Sequence, residues 1–131
     1  MTELPTPTPF PEELVADEVL YRAIRTSSEF QDKRFAFLLR QNERDSGLSV
    51  SFNCAAEKCE EGLNKSYGIL SLIAYDVVGL DLKVVPDEPT HANIKGIPYK
   101  DDDPDLAMWF AGKLRDLARV VREGLKKNVS R

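Results

Sequence analysis

His91 is the single histidine of this 131-residue chain, and it stands in the stretch EPTHANIKGIPY. An imidazole exchanges protons near neutral pH, so it can serve as a general base. The preceding PDEPT predicts that His91 lies where a loop meets a strand, a position that often carries functional residues. No nucleophile lies beside it in the sequence, so a catalytic triad would need partners from distant segments. The favoured alternative is structural: His91 hydrogen-bonds to the preceding turn and holds its shape.

Arg22 is the charged residue whose position most needs an explanation. In VLYRAI it shares one strand face with Leu20 and Ile24, so burial of that face would also bury the guanidinium. A buried cation needs a carboxylate or a bound anion, and Asp76 and Glu57 are conceivable partners. The alternative is that the other face of the strand packs in the core and that Arg22 is solvated.

One enzymatic hypothesis combines these residues in a single site. The candidate catalytic residues are His91, Arg22 and Ser51, with Ser28 as a further contributor. Together they would bind or act on a phosphorylated or nucleotide compound. The hypothesis requires the side chains to converge in one pocket, and it fails if Arg22 and His91 lie on opposite faces of the sheet.

Metal sites and the common phosphate-binding loops are not indicated by the sequence. Cys54 and Cys59, together with one histidine, do not match the ligand spacing of zinc sites. The acidic run DDDPD (101–105) lacks the features of an EF-hand loop, because its sixth and twelfth positions are Leu106 and Gly112 instead of glycine and glutamate. Neither a Walker loop nor a GxGxxG fingerprint is present. We therefore predict no metal and no cofactor.

Charge and composition favour a soluble protein. The chain has 18 basic and 22 acidic residues and a net charge of −4, which argues against a dedicated nucleic-acid binder. It contains no apolar run long enough for a membrane span, and its first residues do not form a secretory signal. Two cysteines five residues apart on a predicted helix are not expected to bridge, and free thiols fit a reducing cytoplasm. A cytoplasmic location is the expectation.

Two regions are predicted, a proline-rich N-terminal arm at 1–17 and a single α+β domain at 18–131. The arm has prolines at alternate positions, which favours extended backbone. Strands are predicted from hydrophobic alternation and β-branched residues. They cover 19–24, 48–52, 69–74, 81–86 and 91–97. A short helix is expected to begin at Asn53 and end at Gly62, and one helical turn is expected at 75–78, ended by Gly79.

A long amphipathic helix is predicted at the C-terminus. Asp103 suits its N-cap, Pro104 its first position and Gly124 its end. Its apolar face would comprise Leu106, Trp109, Phe110, Leu114, Leu117 and Val121. This face must pack on a sheet. The expected architecture is a twisted mixed sheet of about four to six short strands, with this helix packed on one face.

The same helix would carry a basic stripe. Arg115, Arg119, Arg122 and Lys126 follow helical spacing opposite the apolar face. Such a stripe, like the proline-rich arm, could bind a protein partner, although the ordinary interpretation is a solvated face. With no catalytic motif evident, the favoured function is a non-enzymatic accessory or protein-interaction module, and a homodimer is possible. The enzyme or ligand binder described above is the alternative.

The pieces VLYRAI, SGLSVSFN and VGLDLKVVPDEPTHANIKG resemble, in order and spacing, a family of small bacterial proteins with no assigned activity. The resemblance covers residues 19–97 and implies a compact stand-alone domain. The opening strands are also slightly similar to those of ADP-ribosyltransferase-like domains. That similarity implies that Arg22 binds the dinucleotide with Ser49 or Ser51 nearby. The late catalytic glutamate of such enzymes has no assigned counterpart in this sequence, and Glu88 is no more than a candidate for it.

Overall fold

Six strands form one antiparallel sheet in the computed structural model, which describes residues 15–127. The strands are β1 Val19–Ile24, β2 Leu48–Ser51, β3 Lys65–Ile73, β4 Lys83–Glu88, β5 His91–Lys95 and β6 Arg119–Lys127. Their order across the sheet is β4-β5-β2-β1-β3-β6. Every neighbouring pair is antiparallel, so the α+β class is confirmed but the mixed sheet expected from the sequence is wrong. A parallel pair needs a crossover of a dozen or more residues, and β4 and β5 are instead joined by Pro89 and Thr90 alone.

The helices are short, with one exception. They are α1 Ser27–Gln31, α2 Ala74–Val78 and α3 Pro104–Leu117, with 3₁₀ segments at Lys33–Phe37, Gln41–Glu43 and Ala56–Glu60. The turn predicted at 75–78 is therefore present as α2, which Gly79 caps. The helix predicted to begin at Asn53 is wrong in its start and type. Asn53 has a φ of +55°, and a 3₁₀ segment begins at Ala56.

Helix α3 begins as predicted but ends early. Asp103 caps it by accepting from the N–H of Leu106, and Pro104 occupies its first turn. It ends at Leu117 instead of Gly124, and the chain continues into β6, which pairs with β3. The β-branched pair Val120 and Val121 suits a strand, and pairing with β3 outweighs the helical spacing. The long C-terminal helix is therefore a 14-residue helix followed by a strand.

This correction changes two predicted surfaces. Of the four basic residues expected on one helical face, Arg115 lies on α3, whereas Arg119, Arg122 and Lys126 lie on β6. The apolar helical face also differs. Its buried members are Ala107, Phe110, Ala111 and Leu114, whereas Leu106, Trp109 and Leu117 are exposed.

The hydrophobic core lies on one face of the sheet. Leu20, Val50 and Ile94 contribute to it from three neighbouring strands, and each is at most 2% exposed. The elements α2, α3 and Lys33–Phe37 supply the opposing side chains, among them Val77, Phe110 and Phe37. The 3₁₀ segment Ala56–Glu60 packs near β1, β2 and β3. On the face of the sheet opposite the core, β2 and β5 present polar side chains.

Two further predictions concern the ends of the chain and its relation to membranes. Residues 1–14 of the proline-rich arm lie outside the described residues. Between residues 15 and 127, no helix combines the length and apolar content that crossing a membrane requires. Cys54 and Cys59 carry free thiols. The division into an arm and one domain, and the cytoplasmic location, stay predictions.

Candidate functional site

The register of β2 with β5 places four polar side chains on one face of the sheet. Ser49 is paired with Asn93, and Ser51 is paired with His91. Directly paired residues point to the same face, and residues two apart along a strand do so as well. The alternate residue Val50 points into the core. The polar cluster therefore lies on the face opposite the core.

Ser49, His91 and Asp87 form a hydrogen-bonded chain on this face. Ser49 Oγ lies 2.5 Å from His91 Nε2, and His91 Nδ1 lies 2.6 Å from Asp87 Oδ1. The second carboxylate oxygen of Asp87 accepts from Asn93 Nδ2 at 3.0 Å. A hydroxyl, an imidazole and an oriented carboxylate in this sequence of contacts are the parts of a nucleophilic triad.

A β-bulge positions Asp87. Pro86 pairs with Ala92 and Glu88 pairs with His91, so Asp87 is an extra residue on β4 with no partner on β5. A bulge redirects the side chain of its extra residue. Here the redirected carboxylate contacts His91 and Asn93. Strand β4 therefore continues through Pro86 to Glu88, two residues beyond the predicted end.

The charge of Asp87 determines which nitrogen of His91 carries a proton in the hydrogen-bonded Ser49–His91–Asp87 series. Desolvation opposes its ionisation, but the hydrogen bonds from His91 and Asn93 outweigh that effect and hold the pKa of Asp87 below its usual value. An ionised carboxylate only accepts hydrogen bonds, so Nδ1 of His91 carries the proton. In the neutral imidazole, Nε2 is then an acceptor, and the hydroxyl of Ser49 donates to it. This is the arrangement in which an imidazole can take a proton from serine.

A buried ion pair holds the backbone at Ser49. Arg22 donates to both carboxylate oxygens of Glu43, at 2.8 and 3.0 Å, and to the carbonyl of Ser49 at 2.8 Å. It also donates to the carbonyl of Ala36. Glu43 in turn accepts from the N–H of Ser49 at 3.0 Å and from that of Arg40 at 2.8 Å. Both backbone groups of Ser49 are thus bonded to this pair of side chains.

The ion pair takes the place of strand pairing. Tyr21 and Ser51 are the only paired residues of β1 and β2 within the described part of the chain. Beyond them the strands diverge, and Arg22 and Glu43 bridge the gap. Their side chains are 2% and 5% exposed. Glu43, on the 3₁₀ segment Gln41–Glu43, is the partner of Arg22, so Asp76 and Glu57 were wrong candidates.

Burial shifts the pKa values of both Arg22 and Glu43. Desolvation lowers the pKa of Arg22, and repulsion from Arg40 lowers it further, while Glu43 opposes this change. For Glu43, desolvation raises the pKa, but the hydrogen bond and charge of Arg22 and the two backbone N–H donors outweigh it, so the net pKa is lowered. We conclude that Glu43 is ionised at neutral pH.

A depression of about 390 Å³ opens over the triad and the ion pair. It is lined by serine, histidine and carboxylate groups of the cluster and by cationic side chains from the surrounding loops. The cationic members are Arg22, Arg25, Arg40 and Lys58. Arg40 pairs with Glu29 at 3.0 Å and Lys58 pairs with Glu61 at 3.2 Å.

The structure places the sequence-predicted site residues as follows. His91 and Ser51 line the depression from the polar face of the sheet, and Arg22 lines it as well. Since Tyr21 pairs with Ser51, its neighbour Arg22 points to the opposite face, where it is buried. Four of the hydrogen bonds that Arg22 can donate are already made. Its predicted role in ligand binding therefore gains no support from its contacts.

The positions of Ser28 and Ser49 differ from those that the sequence predicted. Ser28 is on α1 and lines a separate hollow with Phe35 and Lys100. Ser49, which the sequence suggested only as an alternative to Ser51, is the serine whose hydroxyl contacts His91. The residues that sequence reasoning missed are Asp87, Asn93 and Glu43.

Metal ligands and reactive thiols are two other sources of chemistry at a site of this kind. No group of three or more His, Cys, Asp and Glu side chains suited to a metal ion occurs within residues 15–127. Cys59 also lines the depression, but desolvation, together with the nearby Glu60, raises the pKa of its thiol to about 12. A thiol of that kind is a poor nucleophile near neutral pH. Ser49 is therefore the better candidate nucleophile.

Comparisons of the chain with protein-family models, with curated proteins and with solved structures found no match. The similarity to a bacterial family stays a prediction, and any argument about function has to come from the geometry of the site.

Proposed function

We propose that the protein is a small hydrolase that cleaves an ester by nucleophilic attack from Ser49. The observation that carries the proposal is the contact of Ser49 Oγ with His91 Nε2, at 2.5 Å, on an imidazole whose other nitrogen lies 2.6 Å from Asp87. Nucleophile, base and orienting carboxylate are the minimum set for acyl transfer through serine.

The reaction would proceed in two halves. In the first, Ser49 Oγ forms a bond to the acyl carbon while its proton passes to His91 Nε2. The alcohol then leaves with that proton, and the acyl group stays on Ser49. In the second half, water attacks the acyl carbon and gives a proton to His91. The acid is released, the proton returns to Ser49 Oγ, and no net oxidation or reduction occurs.

The other residues would position these groups. Asp87 holds the imidazole in the required tautomer and stabilises the transient imidazolium, and Asn93 fixes the carboxylate. Arg22 and Glu43 hold both backbone groups of Ser49, so the hydroxyl starts from a fixed strand. Asn42 and Lys58 line the depression, and their side-chain donors are the candidates for binding the developing oxyanion.

Covalent labelling of the serine tests this proposal. The full chain is treated with a fluorophosphonate probe, and the modified peptide is located by mass spectrometry. We expect one adduct on Ser49, with Ser49→Ala and His91→Ala abolishing both labelling and hydrolysis of p-nitrophenyl acetate. Ser27→Ala, at an exposed site on α1, is the control and should behave as wild type. An adduct on Ser51, or hydrolysis that survives Ser49→Ala, would overturn the assignment.

The alternative of a non-enzymatic interaction module has weaker support. Its proposed arm, at 1–17, lies mostly outside the described residues, and the basic residues expected on one helix are divided between α3 and β6. The ADP-ribosyltransferase-like alternative needs Arg22 as a ligand contact, and Arg22 is instead bonded to Glu43. The hydrolase is therefore the function that the described contacts favour.

A further inference from the structure

We infer that the site of Ser49 takes a small ester that carries a negative charge near the scissile bond, and that Arg25 binds this charge. The inference rests on the proposed hydrolase function and names its substrate class. The position of Arg25, its unpaired guanidinium and the pairing of the other cations around the depression support it.

Arg25 lines the depression from just beyond the end of β1. Ser49 and His91 line the same depression. A guanidinium in this position can bind one end of a small substrate while Ser49 attacks the other.

The charge of Arg25 differs from that of its neighbours. Arg22, Arg40 and Lys58 each form an ion pair with a glutamate. Within residues 15–127, the side chain of Arg25 forms no ion pair or hydrogen bond, and its backbone N–H alone is bonded, to Glu29. Arg25 is exposed, so it costs little to leave it without a partner and its guanidinium stays available to a ligand.

The charges around the depression balance. Each of its other cations has a glutamate partner, including Arg40 with Glu29, which lies outside the lining. Asp87 is the lining carboxylate that has no cationic partner while His91 is neutral. Among the described residues, Arg25 is therefore the lining cation without a carboxylate partner, and an anionic substrate group would supply one.

Size and chemistry narrow the substrate further. A volume of about 390 Å³ is at the lower end of the range for small-molecule sites, about 300–1,000 Å³. The lining is rich in polar groups, which disfavours a long acyl chain. A guanidinium binds planar carboxylates and phosphates through paired N–H donors. The two anions share this chemistry, so both are tested.

Three aryl acetates of similar shape separate charge from size. They are 3-carboxyphenyl acetate, 3-acetoxyphenyl phosphate and the neutral 3-carbamoylphenyl acetate, whose meta substituents cannot assist hydrolysis internally. For the full chain we expect kcat/KM to be at least ten-fold higher for an anionic ester than for the neutral one. The anionic ester with the larger increase in kcat/KM over the neutral ester identifies carboxylate or phosphate as the preferred group.

Variants of Arg25 test whether this residue is the source of the preference for anionic esters. Arg25→Ala should remove the advantage of the anionic ester over the carbamoyl ester, and Arg25→Lys should retain part of it. Arg119→Ala, an exposed arginine on β6 away from the depression, should match wild type. Equal cleavage of all three esters, or an advantage that survives Arg25→Ala, would overturn the inference and leave the hydrolase intact.

A binding measurement keeps the two proposals separate. Benzoate, phenyl phosphate and benzamide are titrated against the full chain while the NMR signals of the single imidazole are followed. Binding of the anions that Arg25→Ala abolishes supports the inference, even if none of the esters is cleaved and the hydrolase proposal fails. If no anion binds more tightly than benzamide, the inference is wrong.

Discussion

Glu43 accepts a hydrogen bond from the backbone N–H of Ser49 at 3.0 Å, in the place where a neighbouring strand would normally bond. Arg22 completes the arrangement by donating to the carbonyl of the same residue. The candidate nucleophile is therefore fixed by a buried ion pair on one side and by β5 on the other. Stability and catalysis should both depend on this pair, and they can be separated by experiment.

Removing one partner of the pair should destabilise the fold strongly. Arg22→Met leaves the Glu43 carboxylate buried at 5% exposure without its main partner, and breaking a buried pair in this way costs about 3–5 kcal/mol. The double variant Arg22→Met/Glu43→Met should lose less than the sum of the two single variants. The measurement is the free energy of unfolding in urea.

An exposed ion pair provides the control for this experiment. Arg44 and Asp102 lie 2.8 Å apart with side chains about half exposed. Arg44→Ala should therefore change the free energy of unfolding by about 0–1 kcal/mol. If Arg22→Met costs no more than Arg44→Ala, the buried pair does not support β2 as described.

Glu43 should also make stability depend on pH in the acid range. Its pKa is lowered in the folded protein, because the contacts with Arg22 outweigh desolvation. Its contribution is fully present above the unfolded-state pKa of about 4.3 and is lost as the pH falls through the lower, folded-state pKa. Wild type should therefore lose stability below about pH 4.3, and Glu43→Gln should lose less over the same range.

Unfolding free energies measured in urea at several pH values check this. Asp87 has a lowered pKa for a similar reason, so Glu43→Gln should retain part of the decline. Parallel curves for wild type and Glu43→Gln would show that Glu43 titrates alike in the folded and unfolded chains, contrary to the prediction.

The two thiols should react slowly in the folded protein. Desolvation raises the pKa of Cys59 to about 12 and also raises that of Cys54. Because the thiolate is the reactive form, alkylation by iodoacetamide at neutral pH should be much faster in urea than in buffer. Peptide mapping after a timed reaction gives both rates. Rapid alkylation of Cys59 in buffer would contradict the described burial and would make this thiol a competitor of Ser49.

Local signals in the sequence predicted the elements better than the site. β-Branched and aromatic residues in VLYRAI placed β1, and alternation in LSVSF placed β2. Asp103 with Pro104 placed the start of α3. Each of these signals lies within a few residues. The end of α3 was missed because the pairing of β6 with β3 joins residues 48 to 62 positions apart, from Ser71–Arg119 to Lys65–Lys127. Helical spacing alone cannot report such a contact.

The site depends on the register between distant strands even more than the secondary-structure elements do. The choice of Ser49 over Ser51 follows from how β2 pairs with β5, and the contribution of Asp87 follows from a one-residue bulge in β4. The favoured interpretation of the sequence had His91 bonding to the preceding turn, but nothing local identified Asp87 as the residue of that turn whose side chain contacts it. The burial of Arg22 was foreseen as one of two alternatives, whereas its partner Glu43, 21 residues away, was not.

Asp87→Asn tests the triad most directly. An amide at this position can donate to Nδ1 of His91, which would favour the wrong tautomer and turn Nε2 toward Ser49 as a donor. In enzymes with this arrangement the equivalent change lowers kcat by about 10⁴ without disturbing the fold. We expect a loss of at least about 10²-fold in kcat for the hydrolysis of 3-carboxyphenyl acetate, with little change in KM. Asp101→Asn, an exposed carboxylate in the loop before α3, should keep full activity. Circular dichroism checks that both variants are folded, and an Asp87→Asn protein with kcat within three-fold of wild type would reduce the Ser49–His91 contact to a structural hydrogen bond.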